Sequence, residues 1–446
     1  MATITPRLAA IKALADVHRH EKYSNIAWEE FLNKTTLSEQ DRSLASRLFY
    51  GVIERQITLD YVLSSFCRTP LKRLHPLVLE TLRVALYQLL YMEKIPESAA
   101  VNEAVLAVRQ LKQDRASGFV NGVLRNVLRK KECLFDELPT GNKGLSIKYS
   151  CPEELIELWK VSYGEDLTKQ LLSAINEVPN AYVRVNTLKI DDEKFSEKLN
   201  KIGISHQIST EIPHCFQLNC AYLLNNLESQ DKNCYYYQDM ASQIACYCLG
   251  AMPGERIADV CAAPGGKSFT VSQYMQNQGT VLSCDIYSAK CETMQKRAQE
   301  FGISILQAQK RDASYSCSEE QKGAFDRVIC DVPCSGLGVI RRKPEIRYKS
   351  LSEFAQLPQL QYTILEKSAE MVKSGGILQY STCTLNPAEN EYVTQRFLRE
   401  HPEFEPRILP IPSLFEASKL TPSYQITLFP HIHGTDGFYI AAFCKK

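Results

Sequence analysis

At 446 residues the chain exceeds the length at which one hydrophobic core usually stops growing, so two or three domains are expected. Hydrophobic content of 44% and charged content of 23% are ordinary for a soluble globular protein, and no stretch is long and apolar enough to cross a bilayer. The opening twenty residues carry charges throughout and lack the apolar core of a signal peptide, so a cytoplasmic address and no membrane partner are expected.

The net charge of +1 hides an asymmetry. Residues 1–131 hold 20 Lys+Arg against 13 Asp+Glu, while the remainder holds 32 against 38. A basic front on a near-neutral chain points to a polyanionic partner, although a surplus of this size is also common on a solvated helical face. The 16 cysteines include no CxxC pair; Cys246 and Cys248, or Cys330 and Cys334, come nearest. A structural zinc site is therefore not expected, and most of these thiols read as small buried hydrophobes in a reducing compartment.

In chain order, the first ~130 residues carry apolar positions at helical spacing. Examples are Leu44, Leu48 and Val52; Leu82, Leu86 and Leu89; Val101, Ala104 and Val108; and Val120, Val123, Leu124 and Val127. An all-α bundle follows. Arg125, Arg129 and Lys130 fall on or beyond the polar side of its last helix and are candidates for contact with that polyanionic partner. Pro139, Gly141 and Gly144 read as a linker, followed by helices near 152–162 and 165–177. Tyr182–Leu188 then alternates as a strand and Phe195–Leu199 reads as a helix, which suggests a small α+β subdomain. The expected domains are 1–135, 136–235 and 236–446.

From about residue 238, strands alternate with helices, the pattern of a parallel, doubly wound sheet with ligands at the carboxyl ends of its strands. A terminal hairpin, Gln425–Phe429 with Phe438–Phe443, closes it. Cys261, Ala262, Ala263, Pro264, Gly265, Gly266 and Lys267 form a small-residue turn between a strand and a helix, a setting for a ligand's anionic groups at a helix N-terminus. A Walker A loop would need glycine where Cys261 stands, and GxGxxG is absent. Asp285, Asp312 and Asp331 end or follow three successive strands, which suits a cationic, hydroxyl-bearing nucleoside better than a phosphate.

Two strand ends carry thiols, Cys334 after Asp331-Val-Pro and Cys383 after Ser-Thr. A thiolate adds readily to carbon 6 of cytosine, which makes carbon 5 nucleophilic, and it leaves again afterwards. Its pKa must be lowered for that work near neutrality. Asn386, Pro387 and Glu389 read as the N-cap, first turn and capping-box acid of a helix whose dipole would favour a nearby thiolate. These residues alone leave Cys334 and Cys383 level.

The segments CAAPGGKS, DVPCSGLGVIRRKPEIRY, YSTCT with NPAENE, and DGFYIAAF resemble the motifs of the RsmB (Sun/Fmu) family, bacterial 16S ribosomal RNA cytosine-C5 methyltransferases. Phe119–Arg129 and its surroundings resemble the NusB-like helical RNA-binding domain found there, and Arg184–Lys189 and Gln238–Gln243 resemble the segments ahead of the catalytic domain. The resemblance implies an all-α NusB-like bundle, a small RRM-like α+β subdomain and a Rossmann-like methyltransferase domain. It implies S-adenosylmethionine as cofactor, held by Cys261–Lys267, Asp285, Asp312 and Asp331. It makes Cys383 the nucleophile and Cys334 the group that assists release of the covalent intermediate, with Asp331 also able to contact the cytosine edge. Ser268, Thr384, Lys343 and Glu345 are small departures from the family pattern. Arg341, Arg342, Lys343 and Arg347, just after the Cys334 loop, are expected to hold phosphates beside a cytosine turned out of its stack. The implied partner is 16S ribosomal RNA, free or partly assembled, acted on by a monomer without a metal. Transfer RNA as substrate, or a catalytically silent RNA-binding assembly factor, are the alternatives.

Overall fold

The computed structural model describes residues 4–20 and 24–446. They form two compact units, one running to Asn176 and taking in Arg342–Lys349, the other made of Glu177–Arg341 and Ser350–Lys446.

The first unit is helical: α1 (Pro6–His20), α2 (Ser24–Asn33), α3 (Glu39–Glu54), α4 (Gln56–Phe66), α5 (Pro76–Tyr91), α6 (Glu97–Gln110), α7 (Ser117–Arg129), α8 (Gly141–Tyr149), α9 (Glu153–Tyr163) and α10 (Glu165–Ala174). Local signals set the ends. Ser38 caps α3 by accepting a bond from Asp41 N, and His75 caps α5 with Pro76 at its first position. Helix α5 is buried on nearly every face, so it runs through the middle of the bundle core. Gly51 of α3 lies directly against the Tyr87 ring of α5, where a Cβ would meet ring carbon at 2.1 Å.

The sequence breaks in character near residue 135, yet the unit runs on to Asn176, with α8–α10 included. Arg347 supplies the physical reason. It is 1% exposed, and its guanidinium donates to Glu54 O at 3.2 Å, Ser150 O at 3.3 Å, Ile175 O at 3.3 Å and Asn176 Oδ1 at 3.0 Å. These carbonyls lie at the ends of α3, α8 and α10, where backbone acceptors lack intrahelical partners and the dipoles turn negative. Tyr348 adds a bond from its hydroxyl to Ile53 O at 2.7 Å, and Glu345 accepts from the Ser24 hydroxyl at 2.6 Å. Arg347 is thus a structural cap, which corrects its expected role as a phosphate contact. Arg341 is corrected likewise: it is buried in the second unit, where it bonds Thr435 O and lies 3.6 Å from the Asp436 carboxylate. Arg342 and Lys343, between the two, are exposed.

The second unit opens with β1 (Ala181–Val185), α11 (Asp192–Lys201), β2 (His206–Ile208), β3 (Cys215–Leu218) and β4 (Tyr235–Tyr237). The four strands make an antiparallel sheet in the order β2-β3-β1-β4, with Phe195 and Leu199 of α11 packed on Val183, Val185 and Phe216. There follow α12 (Met240–Leu249), β5 (Arg256–Asp259), α13 (Gly266–Tyr274), β6 (Thr280–Asp285), α14 (Ser288–Glu300), β7 (Leu306–Lys310), β8 (Phe325–Asp331), α15 (Leu357–Ala369), β9 (Val372–Thr382), α16 (Glu391–Glu400), β10 (Phe404–Pro406), α17 (Pro412–Ala417), β11 (Gln425–Leu428), α18 (Pro430–His433) and β12 (Phe438–Lys445). The eight-stranded sheet has the order β10-β12-β9-β8-β5-β6-β7, with β11 beside β12. Strands β9, β8, β5, β6 and β7 are parallel, and β12 is antiparallel to β9. Chain order reverses between β5 and β8, the topological switch point at which such sheets bind ligands. Arg184 of β1, fully buried, ties the small sheet to α13 through Gln273 Oε1 at 3.1 Å and the Tyr274 ring at 4.6 Å.

Replacing Arg347 by alanine leaves the ends of three helices without their shared donor, so it should cost roughly 3–5 kcal/mol of stability in urea unfolding. Lysine should not rescue it, because one ammonium cannot match the planar fork of a guanidinium.

Candidate active site

Strand β5 releases the chain at Asp259 into a turn that passes Gly265, at φ 108°, and opens α13 at Gly266. A side chain at Gly265 would be both strained and in collision with Phe269, so glycine is required there. Lys267, in the first turn of α13, reaches across to β8 and donates to Asp331 Oδ2 at 2.7 Å. Ser381 of β9 donates to Asp331 Oδ1 at 2.7 Å. Asp331 therefore joins three strand ends.

Asp259 went unnoticed in the sequence, although an acid closing an apolar run is a signal that could have found it. It is buried, and Oδ2 accepts from the Ser268 hydroxyl at 2.7 Å. Burial pushes its pKa up to about 7. Asp285 ends β6, accepts from Tyr287 N at 3.0 Å and lies 3.6 Å from the Lys290 ammonium. The Cys261 thiol is held well above its ordinary pKa, first by burial and then by Cys330 and the charges of Asp259, Asp331 and Asp285. The carboxylates at the β6 and β8 ends suit a cationic, hydroxyl-bearing nucleoside. Asp312 stands apart: it is exposed and caps its own turn, accepting from Ser314 N at 2.9 Å and Ser314 Oγ at 2.6 Å, bonds that lower its pKa.

The ends of β8 and β9 bring the two thiols together, with Cys334 Sγ 3.3 Å from Cys383 Sγ. Gly338 N donates to Cys383 O at 3.0 Å, and Gly437 N donates to Gly338 O at 2.9 Å. A Cβ on Gly338 would lie 1.9 Å from Gly437 O, so these backbones meet only because neither residue carries a side chain. The Cys334 thiol is pushed well above its usual pKa, first by its hydrogen bond with Cys383, then by burial and by the charges of Cys383 and Glu389. At this distance either sulfur can donate to the other.

The expected helix start behind Cys383 is corrected. Helix α16 begins at Glu391, and residues 387–390 are turns. Asn386 Oδ1 accepts from Ala388 N at 3.2 Å, closing a local turn in place of a helix cap. Glu389, which a capping box would send back to the N-cap backbone, goes instead to Ser335 N at 2.9 Å and Gln361 Nε2 at 2.8 Å. Nothing in the sequence marked Gln361, which also donates to Pro333 O at 2.9 Å.

A family model described as 16S rRNA methyltransferase RsmB/F matches residues 246–444, one described as the NusB family matches 4–129, and an RsmF/B-like ferredoxin-like domain matches 151–224. A "Probable ribosomal RNA small subunit methyltransferase B" of Bacillus subtilis (strain 168) is 34% identical over 450 residues, covering 100% of both chains. The chain belongs to the 16S rRNA methyltransferase RsmB/F family. Among solved structures, PH0851 is similar over 100% of this chain and 99% of its own, at 26% identity and a TM-score of 0.81. NSun6 from Pyrococcus horikoshii with SFG, 21% identical with a TM-score of 0.59 over 66% of this chain and 98% of its own, shares the fold. The cofactor of this RsmB/F family member is S-adenosylmethionine, whose sulfonium charge and ribose hydroxyls match the acids at the strand ends. Among the described residues no helix is long and apolar enough to cross a membrane.

Asp259 keeps its proton in the fold up to about pH 7, whereas an unfolded aspartate loses it near about 3.9. The unfolded state binds fewer protons between those values, so this group's contribution declines as pH rises from about 4 to about 7. Asp259→Asn should remove that share of the decline, visible as a flatter curve of urea midpoint against pH.

Proposed function

We propose that this protein transfers a methyl group from S-adenosylmethionine to carbon 5 of a cytosine in 16S ribosomal RNA, through a covalent bond between Cys383 and carbon 6. The observation that carries the reading is the thiol pair, 3.3 Å apart at the edge of the sheet that also bears the acidic strand ends. Nearby acids and buried thiols occur in many folds, but two cysteines in contact beside those acids fit a nucleophile and its partner.

When bound, S-adenosylmethionine supplies the electrophilic methyl group. The loop Cys261–Lys267 and Asp285 hold it, with Asp331 fixed by Lys267 and Ser381; Asp312 contributes only from its exposed turn. Cys383, carrying the thiolate, adds to carbon 6 and leaves carbon 5 nucleophilic. Once carbon 5 has taken the methyl group, its proton is lost, the bond from carbon 6 to sulfur breaks, and Cys334 assists that release. Asp331 also contacts the cytosine edge. Exposed Arg342 and Lys343, and Arg125, Arg129 and Lys130 at the end of α7, bind RNA phosphates. The enzyme works as a monomer in the cytoplasm on free or partly assembled ribosomal RNA.

Cys383→Ala should abolish methylation. Cys334→Ala should accumulate a protein–RNA adduct that survives denaturing gels, because attack remains possible and release does not. An active Cys383→Ala enzyme would overturn the reading, and bisulfite sequencing of 16S RNA with and without the gene reads the target. Asp285→Ala should weaken S-adenosylmethionine binding at least about tenfold by calorimetry, the loss of roughly 1.4 kcal/mol expected for a charged hydrogen bond.

A further inference from the structure

Glu389 is fully buried and lies where the two thiol loops meet. Its Oε2 accepts from Ser335 N at 2.9 Å and Gln361 Nε2 at 2.8 Å, and its Oε1 accepts from Asn386 Nδ2 at 3.0 Å. Ser335 follows Cys334 and Asn386 lies three residues past Cys383, so one carboxylate grips both loops. Gln361 extends the grip by holding Pro333 O, and its neighbour Asn390 bonds Thr384 O at 3.0 Å and the Thr382 hydroxyl. All three donors to Glu389 are neutral, and among the described residues no cation pairs with it. A buried charge without a counter-ion acts on its neighbours at low dielectric.

We propose that Glu389 is a positioning residue that keeps the proton of the thiol pair on Cys334, leaving Cys383 as the sulfur that attacks. This rests on the reading of Cys383 as nucleophile. The bond from Ser335 N places the carboxylate one peptide unit from Cys334, and its charge is among those that hold the Cys334 proton in place. The other titratable groups facing Cys334 are Cys383 and Tyr380; Tyr380 is itself held well above its usual pKa by burial and by the Cys334 charge, so it stays neutral. The Gly336 backbone hydrogen bond pulls the other way. Glu389 thus acts on the Cys334 side of the pair through the peptide unit that it binds.

The test is alkylation of the full-length protein by iodoacetamide between about pH 6 and 9, each thiol followed by peptide mass spectrometry, since only thiolates react. In the wild type, Cys383 should label first and Cys334 only at higher pH. In Glu389→Gln, which keeps most of the bonds but not the charge, Cys334 labelling should move to lower pH. At a fixed pH on the rising limb, its rate should gain about tenfold if the titration moves down by about one pH unit. The methylation rate of this variant should show a changed pH profile, which a purely structural loss would not produce. An unchanged labelling order in a folded Glu389→Gln protein overturns the proposal. Should that variant unfold, Glu389→Asp keeps the charge and should retain the wild-type order; equal labelling of both thiols there overturns it as well. Labelling needs neither RNA nor methyl donor, so its failure is distinct from an active Cys383→Ala enzyme, which would sink the proposed function alone.

Discussion

A parallel sheet delivers all its carboxyl ends to one edge, and in this chain that geometric constraint assembles the chemistry. Strands β5, β6, β8 and β9 release Asp259, Asp285, Asp331 and Thr382 side by side, although these residues are spread over more than a hundred positions of sequence. Lys267 turns proximity into a fixed arrangement. Its ammonium is largely buried, and the carboxylate of Asp331 offsets a desolvation cost of several kcal/mol. Ser381 takes the second oxygen, so neither oxygen of Asp331 is free to drift.

The thiols show how neighbours divide labour between chemically identical groups. Both follow a strand end, and both sit where the backbone allows close approach. Cys334 lies in a loop whose next amide is bound by a buried carboxylate, whereas Cys383 lies in a loop closed by Gly338 and Gly437. Asymmetry of the surroundings, more than of the cysteines, distinguishes the two thiols.

How much of this was readable in advance depended on how local the signal was. Strands β5 and β6 were legible because both faces are largely covered, so they carry short apolar runs between helices, whereas β7, LQAQK, is half exposed. The cofactor turn was legible because a run of small residues between a strand and a helix lets a ligand approach the backbone closely. Arg347 was not, since a basic residue has the same letter whether it faces phosphate or helix carbonyls; only the packing of α3, α8 and α10 decides. Glu389 failed for a similar reason. The pattern Asn-Pro-Ala-Glu satisfies a helix start, and the tertiary demand of Ser335 and Gln361 overrode it. Asp312 shows the converse, a strand-end acid whose bonds stay within its own turn.

The cap made by Arg347 also has a meaning in time. Helices α3, α8 and α10 are all synthesised by residue 174, but the side chain that closes their ends belongs to residue 347. At about 5–20 residues per second, roughly 9–35 s of translation separate the helices from their donor. For that interval the carbonyls must be hydrated, and the helical unit is held by its apolar core and by contacts such as Arg83 with Asp60 and Thr58 with Ile147 O. Strands β5 to β8 emerge from the ribosome in the same interval, so the helical unit completes its folding only after much of the catalytic sheet has been made.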